Sequence, residues 1–152
     1  MHSLQATLDY VPAMTDAALD NVRAMEKLVG AAPQYAVETH HVIHGGMYCR
    51  TILLPAGHIL TGALVKVPTL LTVNGCVSVY LGDAGSVEIE GHAVLPASPG
   101  RKQVFVSHTD THISMLFATN AQSVEEAEGF MTDEADILMS RSNMNTIVVT
   151  GE

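Results

Sequence analysis

Histidine is the residue type in this chain best suited to metal binding or proton transfer, and 8 of the 152 residues are histidines. Three of them lie within the segment His40–His44, whose composition favours a β-strand. Residues four apart on a strand are about 13 Å from each other, too far to chelate one ion together. A histidine metal site therefore needs several strands, and strand position makes His41, His58, His92 and His112 its candidates. The alternative is that these imidazoles only line a barrel interior or the surface.

Tyr48 and Arg50 share one face of a predicted strand that also carries apolar residues. An arginine buried among apolar side chains is costly unless it has a partner. One interpretation is structural, with Arg50 paired to an acid such as Glu38 or Glu90. The other is that Arg50 points into the mouth of a barrel, where its guanidinium binds an anionic ligand through two parallel hydrogen bonds.

Other signatures of catalysis are absent from the sequence. It has no Gly-x-Ser-x-Gly elbow, no phosphate-binding loop, no His-Glu-x-x-His and no dinucleotide fingerprint. The two cysteines, Cys49 and Cys76, lie in apparent strands. They are either two free thiols or one disulfide, because the sequence does not give their separation. Without a Cys-x-x-Cys motif, a thiolate zinc site is not expected.

An amphipathic helix is predicted ahead of the strands. Thr15 is a suitable N-cap, and Asp16 places a negative charge in the first turn. Apolar residues then recur at helical spacing until Gly30 and Pro33 end the pattern. The apolar face consists of Ala18, Leu19, Val22, Met25, Leu28 and Val29. We expect this face to pack on another element.

The middle of the chain is β-rich, with short apolar runs separated by turn signals. Asn74-Gly75 is the strongest of these signals and predicts a tight hairpin turn. Nearly regular spacing without intervening helices predicts an antiparallel sandwich or barrel. The predicted strands are Tyr35–His44, Met47–Leu54, His58–Lys66, Thr69–Val73, Cys76–Leu81, Ser86–Leu95, Arg101–His108 and Thr111–Thr119.

The C-terminal part returns to helical patterns. Ser123 and Glu126 form a capping box, and a second short helix is predicted from Thr132. Six acids and no bases lie between Ala121 and Ser140, either as first-turn residues that favour helix starts or as an acidic face for a basic partner. The tail Thr146–Thr150 is either an edge strand or an arm that pairs with another chain.

Several segments between about residues 40 and 120 resemble the cupin superfamily. Gly46–Gly57 is similar to the strand pair that opens the cupin barrel, and Leu60–Lys66 stands where the first cupin motif belongs. Val73–Gly75 resembles the closing turn of that motif, Ser98–Gln103 the second motif, and Asp110-Thr111 the end of the barrel. In detail the chain resembles small single-domain cupin-like proteins of tailed phages and prophages, which tend to carry a Glu-rich helix after the barrel.

The resemblance also shows a departure at the metal site. Metal-binding cupins use two His and a Glu from the first motif and a His from the second. The corresponding positions here hold Ala63, Val65, Pro68, Thr69 and Gln103. The side chains of Ala, Val and Pro cannot ligate a metal, and Thr and Gln are poor ligands for transition metals. The resemblance therefore implies no cofactor, with a transition metal on the atypical histidine set as the alternative.

The net charge and hydropathy of the chain limit which classes of partner it is expected to bind. The net charge of −9 argues against nucleic acid and anionic membranes. No apolar run reaches the roughly 18 residues of a membrane span, and no secretory signal is visible. With the phage resemblance, this implies a location in the cytoplasm of an infected host cell or in the virion. A mean hydropathy of +0.24 implies surplus apolar surface, which a homo-oligomer or contact with other phage structural proteins would bury.

Together these observations predict one mainly β domain, a small cupin-like jelly-roll barrel. Residues 1–33 form an N-terminal helical extension, 34–120 the barrel and 121–152 an acidic helical segment with a tail. The expected function is a non-catalytic binding or assembly protein, homo-oligomeric and virion-associated or accessory, with Tyr48, Arg50 and Gln103 as ligand-binding residues. The alternative is a metal-dependent small-molecule enzyme of dioxygenase or isomerase type that uses the histidine set.

Overall fold

A computed structural model describes residues 10–138 and 145–150, and within these ranges it has two α-helices and eight β-strands. The helices are α1 (Asp16–Gly30) and α2 (Val124–Met131). Single 3-10 turns occur at Gly82–Ala84 and Ala135–Ile137. The strands are β1 (Thr39–His44), β2 (Met47–Leu54), β3 (Ile59–Thr61), β4 (Thr69–Tyr80), β5 (Ser86–Ala97), β6 (Val104–Ser107), β7 (Thr111–Ala118) and β8 (Asn145–Val149).

The strands form one sheet in the order β3-β6-β4-β7-β2-β1-β8, and β5 pairs with the other edge of β4. Every pairing of these strands is antiparallel except β1 with β8. The sheet curls around an aliphatic core that includes Val73, Val77 and Ile89. A second apolar cluster joins the sheet to α2 through Tyr48 and Met131. This architecture confirms the expected mainly β class, with an N-terminal helix and a C-terminal helical segment.

The predicted hairpin at Asn74-Gly75 is wrong, because β4 runs without interruption through both residues. β4 pairs with β7 before Gly75 and with β6 after it, so the strand changes neighbours at this point. Gly75 has φ +149°, and a Cβ there would stand 2.8 Å from the backbone oxygen of Asp110. The glycine is required by the close approach of the start of β7, not by a turn.

Three predicted strands are shorter in the structure than in the sequence-based prediction. Tyr35–His44 contains β1 only from Thr39, since the residues before it connect α1 to the sheet. The other two, His58–Lys66 and Arg101–His108, keep only the short paired strands β3 and β6. The remaining parts of both approach each other through one isolated bridge, Val65 with Arg101. This is too little pairing to form a strand.

Helix α1 begins as predicted, with the Ala18 amide donating to the Thr15 hydroxyl at 3.2 Å. Only the first half of the expected apolar face is buried, through Ala18 and Val22. Met25 and Leu28 are exposed, which corrects the expected packing. The second half of the helix lies at the wall of a cavity instead of on the sheet, so that part of the face stays unpacked.

The C-terminal segment keeps its predicted start and loses one predicted helix. The Glu126 amide donates to the Ser123 hydroxyl at 3.2 Å, which confirms the cap of α2. The helix expected from Thr132 is only the 3-10 turn Ala135–Ile137, and Met139, assigned to it, lies outside the described residues. The tail forms β8, an edge strand parallel to β1 of the same chain. In the described ranges no helix is long and apolar enough to cross a membrane.

Candidate ligand cavity

The inner face of the curled sheet borders a partly open cavity of about 910 Å³. Residues of β2, β3, β4, β6 and β7 form part of its wall, and they are largely apolar. Other parts of the wall come from the end of α1, the connection at residues 32–35, the chain on either side of β3, the segment before β6, and the end of α2 with the 3-10 turn after it. The apolar lining includes Ile52, Leu54, Leu60, Leu71, Phe105 and Ile113. Such a volume and lining are typical of a small-molecule site.

Among residues 10–138 and 145–150, three charged side chains line this cavity: Glu26, Arg50 and Arg101. Glu26 lies 3.1 Å from the ammonium of Lys102, and Arg50 lies 3.1 Å from the carboxylate of Glu128. Arg101 has no carboxylate within 4.0 Å among the residues that the structure describes. The cavity wall therefore carries one buried positive charge that the described part of the protein does not neutralise.

The partner of Arg50 is Glu128, which is fully buried on α2. The acids proposed from the sequence, Glu38 and Glu90, are therefore wrong, and the pairing corrects the structural interpretation of Arg50. Glu38 instead lies 3.5 Å from His40. The true partner is 78 residues away in sequence, on an element whose docking no local pattern shows.

Tyr48 is fully buried and is not among the described residues that line the cavity. Its hydroxyl accepts from Arg50 at 3.2 Å and lies 2.6 Å from Nδ1 of His41. Nε2 of His41 lies 2.6 Å from Oδ1 of Asn145 on β8. These distances fit one arrangement, in which Tyr48 donates to a neutral His41 and His41 donates to Asn145. Through the contact of Arg50 with Glu128, the network links side chains of β1, β2 and β8 to α2.

Burial governs the acidity of this network. Desolvation raises the pKa of Tyr48 to about 12, so its hydroxyl stays protonated and can donate. Desolvation also lowers the pKa of His41 below 6.5, because its effect is larger than that of the hydrogen bond with Asn145, which raises this pKa. His41 is therefore neutral at pH 7, as the hydrogen-bond arrangement requires.

Arg101 is 1% exposed, and its acceptors among the described residues are all neutral. Nη1 reaches the carbonyl of Ser98 at 2.8 Å, Nη2 the hydroxyl of Thr69 at 2.6 Å, and Nε the Oε1 of Gln103 at 3.1 Å. Desolvation lowers the pKa of Arg101 to about 10, and the guanidinium remains charged at neutral pH. Sequence reasoning missed this residue, although two adjacent cations in an apolar segment were a usable signal.

Two polar atoms on residues of the cavity wall have no hydrogen-bond partner in the described part of the chain: Nε2 of Gln103 and Oγ1 of Thr39. Gln103 is 6% exposed and Thr39 is 1% exposed. Because Oε1 of Gln103 accepts from Arg101, its free amide group stands beside the unpaired guanidinium. Of the three residues predicted to bind a ligand, Arg50 and Gln103 thus line the cavity.

Lys102 follows Arg101 in the sequence and, unlike it, has carboxylate partners. It is fully buried, and its ammonium lies 3.1 Å from Glu26 on α1 and 3.0 Å from Glu134. Burial would raise the pKa of Glu134, but hydrogen bonds from the Leu64 amide and Lys102 outweigh it, and that pKa falls below 4.5. Lys102 therefore joins α1 to the C-terminal segment, a role the sequence did not reveal.

The four candidate histidines lie in different places. His41 is buried in the Tyr48 network, and His58 lies at the cavity wall with Nδ1 3.1 Å from the carbonyl of Pro55. His92 and His112 are exposed on the outer face of the sheet. Within residues 10–138 and 145–150, no three His, Cys, Asp or Glu side chains are grouped to hold a metal ion. Both cysteines are free thiols.

The residues at the cupin ligand positions do not fit a metal ion. Ala63 and Val65 form part of the apolar cavity wall. The remaining oxygen donors, Thr69 Oγ1 and Gln103 Oε1, both accept hydrogen bonds from Arg101. A divalent cation at these oxygens would stand beside a guanidinium, and the two positive charges would repel each other.

No family model matches the sequence, and no curated protein matches it significantly. Solved structures to which the chain is similar include a protein from Neisseria meningitidis, with 18% identity, TM-score 0.43, and coverage of 62% of this chain and 95% of that one. A cupin domain of an XRE family transcriptional regulator from Enterobacter cloacae has 9% identity, TM-score 0.40, and coverage of 49% and 84%. Salicylate 1,2-dioxygenase from Pseudoaminobacter salicylatoxidans has 14% identity, TM-score 0.46, and coverage of 86% and 39%. At these values the similarities carry no argument about activity, ligand or partners.

Proposed function

We propose that this chain is a non-catalytic binding protein that holds an apolar small molecule inside its cupin-like barrel. The observation that carries the proposal is the cavity of about 910 Å³, lined by aliphatic side chains with a few convergent polar groups. The residues at the cupin metal positions support the non-catalytic part. Ala63 and Val65 form part of the apolar wall. Thr69 and Gln103 accept hydrogen bonds from Arg101.

Binding inside the cavity is tested with 1-aminoanthracene, a neutral apolar fluorophore that brightens when it leaves water. The chain has no tryptophan, so intrinsic fluorescence interferes little. We expect saturable enhancement with one probe per chain, and weaker binding in Ala63→Phe, which places a bulky ring at the cavity wall. Ala118→Phe, exposed on β7, is the matched control and should bind normally. The absence of enhancement, or equal binding by Ala63→Phe, would contradict the proposed function.

We also propose that the chain self-associates through the outer face of the sheet. An apolar row crosses this face in register, from Leu70 through Leu116, Cys49 and Val42 to Val148. Leu70, Val42 and Val148 are 47, 39 and 49% exposed. The only lysine or arginine in the eight described strands is Arg50, whose side chain lies at the cavity, so no cation opposes apolar contact here. A second copy of the same face is the occupant that such a row fits.

Sedimentation velocity tests the self-association. The wild type is expected to sediment as a dimer or larger species, and Leu70→Lys to shift toward a 16.2 kDa monomer. A wild type that is monomeric at high concentration would contradict the proposal. A virion-associated or accessory role with other phage structural proteins stays a prediction from the sequence resemblance, as does a location in the infected cell or the virion.

A further inference from the structure

Arg101 differs from the other charged residues of the cavity wall in how its charge is balanced. Of the three charged wall residues that the structure describes, Glu26 and Arg50 have partners of opposite charge, whereas Arg101 donates, within the described ranges, to neutral oxygens and the sulfur of Met115. Burying an ionised group without a counter-charge is costly, and proteins compensate such groups with an ion pair or a ligand. The uncompensated guanidinium therefore requires an explanation that the described part of the chain does not contain.

Gln103 provides a second, independent observation at the same place. Its side chain is nearly fully buried, and its Nε2 has no acceptor among the described residues. A buried amide donor without a partner destabilises the protein, because the hydrogen bond to water that it lost on burial is not replaced. Because its Oε1 is fixed by Arg101 at 3.1 Å, the unused donor is adjacent to the unpaired charge. The unpartnered amide donor and the unpaired guanidinium thus belong to two neighbouring residues that line an apolar cavity.

We infer that the cavity binds an amphipathic carboxylate, with the carboxylate held by Arg101 and Gln103 and the apolar body among the aliphatic wall residues. This inference rests on the proposed binding function and names its ligand class. A carboxylate accepts from both donors and neutralises the guanidinium, so one group relieves both costs. The apolar lining, including Leu71, Phe105 and Ile113, suits an alkyl or aryl body and not a sugar or polyphosphate.

The test compares two ligands that differ only at the head group. Octanoate and octanamide have the same alkyl chain, but only octanoate carries a charge at pH 7.5. Isothermal titration calorimetry is expected to show octanoate binding about tenfold or more tightly than octanamide, because charge-assisted hydrogen bonds are the stronger kind. 4-Phenylbutyrate in a parallel titration shows whether the body that binds best is alkyl or aryl.

The deciding variant is Gln103→Glu, which is nearly isosteric and supplies Arg101 with an internal carboxylate. Octanoate binding is expected to fall at least tenfold, because the guanidinium is neutralised and a negative charge faces the ligand. Octanamide binding should change little. Gln122→Glu makes the same substitution at an exposed position before α2 and should leave both affinities unchanged.

The outcomes separate this inference from the proposed function. Equal affinity for octanoate and octanamide, or octanoate binding that Gln103→Glu leaves intact, would overturn the carboxylate assignment while the cavity still binds apolar molecules. Failure of both ligands in a protein that still binds 1-aminoanthracene would also overturn it. Failure of 1-aminoanthracene as well would overturn the proposed function.

Discussion

Two arginines line the same cavity and differ in how their charge is balanced. Arg50 lies on β2 and pairs with Glu128, a fully buried carboxylate delivered by α2. Arg101 precedes β6 and is bound by a carbonyl, a hydroxyl and an amide oxygen. Both are largely removed from water, yet only the first has an ionic partner among the described residues. We interpret Arg50 as a group that joins elements and Arg101 as a group left available for a ligand.

The largest expected effect comes from removing the acid of the paired arginine. Glu128→Gln leaves the Arg50 guanidinium without this carboxylate, and loss of one member of a buried ion pair costs about 3 kcal/mol. Urea denaturation should show this decrease in the free energy of unfolding. Asp133→Asn, which breaks the exposed contact with Lys66, is the control and should cost less than about 1 kcal/mol. Equal effects of the two variants would contradict the distinction.

Adding a carboxylate beside Arg101 should stabilise the protein, whereas removing the carboxylate beside Arg50 should destabilise it. Gln103→Glu gives Arg101 a carboxylate and should raise the free energy of unfolding by about 1 kcal/mol, because an ion pair replaces a hydrogen bond from the guanidinium to a neutral amide oxygen. Thermal and urea unfolding both measure this. Gln103→Leu, which removes the bond instead, should be destabilising. A destabilised Gln103→Glu variant would show that Arg101 is already balanced and would weaken the comparison.

A smaller effect is expected from loosening the helix that carries Glu128. Ser123→Ala removes the N-cap acceptor of α2 and should cost about 1 kcal/mol. Amide hydrogen exchange should then quicken in α2 and not in β4. Faster exchange throughout the protein, or none in α2, would mean that the cap does not hold this helix on the sheet.

The smallest expected effect is a pH dependence from His41. Its folded pKa lies below 6.5, so the unfolded chain binds the proton more readily and stability falls as pH drops below about 6.5. In His41→Gln the side chain cannot titrate, so the free energy of unfolding should fall less between pH 7.5 and pH 5 than it does in the wild type. His112→Gln, on the exposed outer face, should keep it. A steeper slope in His41→Gln would contradict the sign.

Local chemistry in the sequence predicted the caps at Thr15 and Ser123 and the position of β2, because these depend on neighbouring residues. It failed at Asn74-Gly75, where the glycine is needed for a distant strand, Thr111 onward, to approach closely. A turn signal and a close-approach signal look alike in sequence. Only the fold distinguishes them.

The cavity was predictable in part. Arg50 was singled out by its apolar neighbours and Gln103 by the cupin resemblance, and both line the cavity. Arg101 was missed, because the lack of a carboxylate near it among the described residues becomes visible only in the folded structure. The acid of Arg50 could not be found from the sequence either, since the chain between β2 and α2 must fold before Glu128 reaches it.

Nitrogen-15 NMR of the arginine side chains during titration with octanoate tests the central claim most directly. The sequence holds four arginines, so the Nε–H signals can be assigned by substitution. We predict a large saturable shift of the Arg101 signal, with the Arg50 signal nearly unchanged because its carboxylate partner stays in place. A saturable shift confined to Arg50, or binding that moves neither signal, would contradict the assignment of Arg101 as the anion-binding group.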